Sequence, residues 1–277
     1  SLSDFAPYRV ESCSTFDTAR QRLIVTSGVN GLFETIYNNT WESDGEHWFG
    51  RTTSAPYCYA AAMCYDSNRG RSVLFGGQYG SSTNITYASG TYEYNGTTWT
   101  NVATTGPSGR ASHGVAYDPI RSRTVLFGGV NASGLLGDTW EWNGTTWTLA
   151  SSTGPSARKG PSMTFHSGRG RVVLFGGAGP VGLPTGDLWE WNGVQWSLIS
   201  DNGPAGSKGG LAYDAARDKL VQFGGSGVDF AQGQTWEWDN AGWVQRSTTG
   251  PLDRRSVTAH YHTGLQRVIL SGGDITD

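Results

Sequence analysis

The stretch RTVLFGG at residues 123–129, followed by TWEWNGTTW at 139–147, decides how this chain folds. Thr124 to Phe127 read as a short, nearly apolar strand that Gly128-Gly129 stops, the pattern of a strand covered on both faces. In the second block Trp140 and Trp142 alternate with Glu141, so two indoles share one face of a strand and the carboxylate takes the other. Asn143-Gly144 is the strongest short hairpin signal and leads into a further strand near 147–150. One more strand, over 113–117, precedes the first block across a turn at 118–122. The unit is four short strands.

Working outward, the same unit recurs. RLIVTSG (22–28), RSVLFGG (71–77), RVVLFGG (171–177), KLVQFGG (219–225) and RVILSGG (267–273) align with residues 123–129. TWESDGEHW (40–48), TYEYNGTTW (91–99), LWEWNGVQW (188–196) and TWEWDNAGW (235–243) align with 139–147, and all 12 tryptophans of the chain fall in these five blocks. Each glycine-ended strand is preceded by an aromatic residue and an Asp or His: Phe16-Asp17, Tyr65-Asp66, Tyr117-Asp118, Phe165-His166, Tyr213-Asp214 and Tyr261-His262. A lone four-stranded sheet leaves both faces wet, whereas sheets stacked radially cover one another and keep only short edges. The repeat therefore predicts an all-β fold, a β-propeller of six blades of four antiparallel strands with an incomplete last blade. It is one domain over 1–277, with units at about 9–56, 57–108, 109–156, 157–206 and 207–253, and a partial unit of 254–277 with 1–8.

A Gly-Gly pair ending an apolar strand, a W/Y-x-W/Y strand after it, a further Trp and a P-x-x-R lead-in together resemble kelch repeats. The form is similar to that of bacterial galactose-oxidase-like propellers, and the likeness covers essentially the whole chain. It implies a kelch-type propeller without implying an activity. The copper ligands and Cys–Tyr cofactor of galactose oxidase do not map onto positions here, nor do the channel acids of kelch-type sugar epimerases.

Six glycine-ended strands meet only five tryptophan blocks. Three readings follow: a chain trimmed at its C-terminus, a last blade of two or three strands, or an open edge that pairs with another copy or another protein. The opening Ser1-Leu2-Ser3-Asp4 has neither an initiator Met nor a signal sequence, which reads as a mature, processed or trimmed chain.

Composition narrows the setting. Glycine is 41 of 277 residues, about twice the usual share, and charged residues are only 16%. The net charge is −3 with no dense Lys/Arg run, which argues against a nucleic-acid partner. No apolar run approaches a membrane span and no basic amphipathic segment occurs, so no membrane insertion is expected. Loops rich in Ser, Thr, Asn and Gly, with N-x-S/T triplets at Asn38, Asn84, Asn95, Asn131 and Asn143, point to an extracellular or cell-surface location.

A site should break the symmetry of the repeat. Arg9, Arg110, Arg158 and Arg255, with Lys208, hold one lead-in place and suit orphan backbone carbonyls better than a cationic ring for an anion. Glu42, Glu93, Glu141, Glu190 and Glu237 recur in every complete unit and read as partners of the strand-two bases Arg71, Arg123, Arg171 and Lys219. Asp17, Asp66, Asp118 and Asp214 read as turn residues, with His166 and His262 as variants. Among the departures, Cys58 takes an arginine place. A disulfide between Cys13 and Cys58 and an apolar thiol cluster that includes Cys64 are both open. His260-x-His262 puts two imidazoles on one strand face without a third ligand, so no metal is assigned. His113 reads as a buried histidine or one facing the channel.

The loops after the glycine pairs (29–39, 78–90, 130–137, 178–186 and 226–233) vary most. They carry Phe33, Tyr37, Tyr79, Tyr87, Asp229 and Phe230 among amides and hydroxyls, the candidate ligand-binding residues for a protein or glycan partner. No Ser-His-Asp order, phosphate loop or dinucleotide fingerprint stands out, and no cofactor or catalytic residue is assigned. The expectation is a non-catalytic extracellular recognition or structural module, able to self-assemble with other copies of itself through the open blade. The alternative is a carbohydrate-active enzyme of the oxidase or epimerase type with its site in the channel mouth.

Overall fold

Each apolar run that ends in glycine forms the second strand of a small antiparallel sheet. The computed structural model describes residues 2–3, 8–31, 35–81, 83–226, 233–248, 250–252 and 254–274. In the third unit the strands Gly114–Asp118, Arg123–Phe127, Thr139–Trp142 and Trp147–Ser151 pair in sequence order, with Thr124 opposite Trp142 and Leu126 opposite Trp140. The first, second, fourth and fifth units repeat this order.

The fold is a β-propeller, as predicted, with five complete blades instead of six. The sixth unit contributes only a two-stranded hairpin, Arg255–His262 with Arg267–Asp274. Its inner strand packs against the innermost strands of both the fifth and the first blade, and so closes the ring. Nor does the N-terminal segment finish the last unit: Leu2–Ser3 pairs with Trp48 and Phe49 as an extra outer strand of the first blade. The physical reason is availability, since the outer strand Trp48–Ser54 leaves a row of backbone groups for Leu2 and Ser3 to pair.

The seams between blades hold the core. One face of the second blade (Val73, Phe75) meets one face of the third (Leu126, Trp142, Trp147), and the third and fourth blades repeat the arrangement with Val125, Phe127, Leu174, Trp191 and Trp196. Indole N–H groups need acceptors when buried. Trp99, Trp147 and Trp196 donate to Thr40, Thr91 and Thr139 of the preceding blade at 2.8–2.9 Å.

Two recurrent charges sit elsewhere than predicted. The blade glutamates are held by the turn arginines Arg20, Arg69, Arg121, Arg169 and Arg217. Arg71, Arg123 and Arg171 instead donate to backbone carbonyls beside them, and of the predicted bases Lys219 reaches its glutamate, Glu237, at 3.7 Å. The turn explains why. Asp17 accepts the N–H groups of Ala19 and Arg20 and also the Arg20 Nε, which aims that guanidinium across the sheet at Glu42. His166 and His262 take the turn role as predicted, each accepting an N–H three residues on.

The lead-in arginines do bind orphan carbonyls: Arg110 Nη1 donates to Gly128 O (3.1 Å) and Arg158 Nη1 to Gly176 O (3.0 Å). In the last unit this residue is Arg254, which donates to Leu252 O and Gly272 O, and not Arg255. Backbone pairing puts Gly206, and not Lys208, in the fifth-unit place, because Gly177 N donates to Gly206 O as Gly129 N does to Arg158 O.

Candidate functional site

The innermost strands surround an axial channel, and a ring of equivalent backbone turns forms a neck between two of its cavities. Glu11, Ala60, Ser112, Gly160, Lys208 and Ser256 occupy one equivalent position and all have φ between 51° and 64°. This left-handed turn directs four of the N–H groups around the ring: Ala60 N donates to Glu11 O, Ser112 N to Ala60 O, Gly160 N to Ser112 O and Lys208 N to Gly160 O, at 2.7–2.9 Å. Four of the six side chains are small and uncharged. Glu11 and Lys208 break the pattern. Lys208 Nζ forms an ion pair with the Glu11 carboxylate, and Ser256 Oγ donates to the same Oε1 at 3.0 Å.

On the loop side of this neck lies a mouth of about 430 Å³, lined among others by Tyr59, Gln78, Lys159, Lys208, Arg255 and Glu11. Lys159 and Arg255 are exposed and Tyr59 is half-buried. Below the neck is a chamber of about 170 Å³ that holds both methionines of the chain, Met63 and Met163, with His113 and His260. His260 Nε2 and Ser14 Oγ lie 2.7 Å apart, Ser14 also bonds Thr258 Oγ1, and burial pushes the His260 imidazole down to about 4. His113 is buried edge-on to Phe75, with ring centroids 5.6 Å apart, and neither of its nitrogens has a hydrogen-bond partner among the described residues. Burial, with Arg110 nearby, pushes its imidazole down to about 3.

The residues singled out from sequence do not converge. Tyr37 lies under the Arg9 guanidinium, 5.0 Å from its ring centroid, and serves the lead-in. Tyr79 and Tyr87 sit on a separate hairpin, Gln78–Ser81 with Asn84–Tyr87, and none of these three tyrosines lines the mouth. Phe33, Asp229 and Phe230 lie outside the described residues. Cys13, Cys58 and Cys64 are free, buried thiols, so the structure carries no Cys13–Cys58 disulfide. Cys13 Sγ is directed at Thr26 O and Cys58 Sγ at Pro56 O, and burial pushes the Cys58 thiol up to about 11 and that of Cys64 to about 12.

Sequence reasoning missed Glu11 and the true place of Lys208. Their signal was present, as two charged residues two positions after the lead-in place where other units have Ala60, Ser112, Gly160 and Ser256. A misaligned lead-in hid it. The chain matches no protein-family model and no curated protein.

Proposed function

We propose that the chain is a kelch-type propeller acting as a non-catalytic, extracellular recognition module, and that it takes an acidic group of a protein or glycan into the channel mouth. The supporting observation is the concentration of cations there. Lys159, Lys208 and Arg255 line a mouth to which the described residues contribute one carboxylate, Glu11. Glu11 is engaged by Lys208 and Ser256, and the exposed Lys159 stands where an acidic ligand would enter. Half-exposed Tyr59 and the Gln78 amide add a ring face and hydrogen-bonding groups suited to either partner. Among the described residues that line the mouth, the enzymatic alternative, an oxidase or epimerase acting on sugars, has that same engaged carboxylate to draw on.

The test is an array of acidic and neutral glycans and peptides, followed by titration calorimetry of the best binder. Acidic binders are expected to dominate, with affinity falling as salt rises. The Lys159→Ala/Arg255→Ala double variant should weaken binding by about tenfold or more. Equal binding of neutral and acidic probes, or an unaffected double variant, contradicts the reading.

A second reading, assembly through the incomplete blade, has its own observation. Val268, Ile269 and Leu270 of the hairpin are only half-buried, whereas the corresponding Ile24, Leu74, Val125, Leu126, Val173 and Leu174 are fully buried. The outer edge of Arg267–Asp274 pairs with no described strand. Sedimentation of the chain across a concentration series tests it: self-association supports a second copy as the occupant, and a strict monomer removes that occupant.

A further inference from the structure

Below the neck the channel widens towards the turn end of the blades. The chamber that holds Met63 and Met163 adjoins a lower cavity of about 480 Å³, and both are walled by Met63, Val115, Met163, Leu211, Ala259 and His260. Thr18, Ser67, Ser167, Ala215 and Thr263 form part of the lower rim and are exposed. The passage therefore has its own opening, at the far end of the channel from the cationic mouth.

Two properties set this passage apart. The first is charge. No Asp, Glu, Lys or Arg stands among the described residues that line the lower cavity, and the chamber has only Glu11 and Lys208, which neutralise each other at its roof. A charged guest would lose water here and find no free counter-charge. The second is a break in the repeat. Two residues before the aromatic of each Phe/Tyr–Asp/His pair, five units carry Met63, Val115, Met163, Leu211 and Ala259, and the first unit carries Ser14. One residue before it, five units carry Thr15, Cys64, Ala116, Thr164 and Ala212, and the sixth carries His260. The two exceptions meet. Ser14 Oγ lies 2.7 Å from His260 Nε2 and is also bonded to Thr258 Oγ1. An otherwise apolar ring thus has one polar corner. The imidazole uses Nε2 there, which leaves Nδ1 to pair with a guest, and burial keeps the ring uncharged at neutral pH.

We propose that the lower passage is a further binding site, which takes a small uncharged molecule with an apolar body against the Met63–Met163 ring and one hydrogen-bonding group on His260. It is independent of the acidic ligand proposed for the mouth. The chamber is about 170 Å³, close to the roughly 150 Å³ of an apolar cavity that takes up benzene, so the guest is a single ring or a chain of similar bulk. The unbranched methionine side chains can adapt to it.

The chain has two methionines and both stand in this wall, so isotope labelling of the methionine methyl groups gives two NMR resonances that report on the site. The probes are phenol, benzene and benzoate, added to the whole chain. Phenol should shift both resonances along a saturating curve, binding about fivefold more tightly than benzene through one hydrogen bond and at least about tenfold more tightly than benzoate. His260→Phe should bring phenol to the level of benzene, with benzene itself changed by less than about twofold. The ranking of the three probes on the parent chain stands as a test even if that variant fails to fold. Lys159→Ala/Arg255→Ala should leave phenol binding unchanged; its loss there would place the probe in the mouth and overturn the site, as would no shift with either phenol or benzene. Benzoate binding as tightly as phenol overturns the uncharged specification, and a phenol–benzene difference that persists in folded His260→Phe overturns the anchor.

Discussion

Five residues without glycine's freedom, Glu11, Ala60, Ser112, Lys208 and Ser256, adopt a left-handed backbone at the channel neck. Each conformation costs about 1 kcal/mol, and the circumferential hydrogen bonds described for this ring offset it. No glycine pattern announces such a turn, so it was illegible in the sequence. The turn aspartates were legible, because an Asp that ends a strand accepts the N–H groups two and three residues on. His113 gives a residue-scale prediction. Its imidazole is pushed from an ordinary value of 6.5 down to about 3 by burial. As pH falls from 6.5 towards 3 the unfolded chain takes a proton that the folded one refuses, so stability is present above that window and lost within it. The slope is about 1.4 kcal/mol per pH unit for one such histidine. Urea midpoints measured from pH 7 to pH 4 should therefore fall less steeply for His113→Phe than for the parent chain; parallel profiles contradict this.

Strands become blades through their seams, and the seams differ by single acceptors. Trp147 finds Thr91 and Trp196 finds Thr139, but Leu188 of the fourth blade stands in the threonine place and Trp243 Nε1 of the fifth is buried without a partner among the described residues. Trp147→Phe should thus cost about 1 kcal/mol more than Trp243→Phe, since only the former removes a hydrogen bond along with packing. Chemical denaturation of both variants measures the difference, and equal losses would mean that the threonine contributes nothing. The periodic tryptophans made the strands and their order legible. What lay opposite each glutamate was not, because it depends on which way a turn arginine is aimed. Arg71 and Arg69 are two residues apart, and only the latter is anchored by Asp66.

At the scale of the molecule, the repeat was legible and its count was not. Six glycine-ended strands suggested six blades, while blade size depends on the outer strands, and only five units bring those. Which loop aromatics reach the axis was not legible for a related reason: a loop's position in sequence does not say so, and Tyr37 lies against Arg9. The central structural claim is that the last hairpin closes the ring directly against the first blade. Ser14 and Thr258, 244 residues apart in sequence, are hydrogen-bonded through their hydroxyls across that junction. The most direct test is the Ser14→Cys/Thr258→Cys double variant, oxidised and mapped by peptide mass spectrometry. The account predicts an intramolecular link between positions 14 and 258 in a monomer that unfolds at a higher temperature than its reduced form. Failure to link, or a link found only between chains, would contradict closure of the ring.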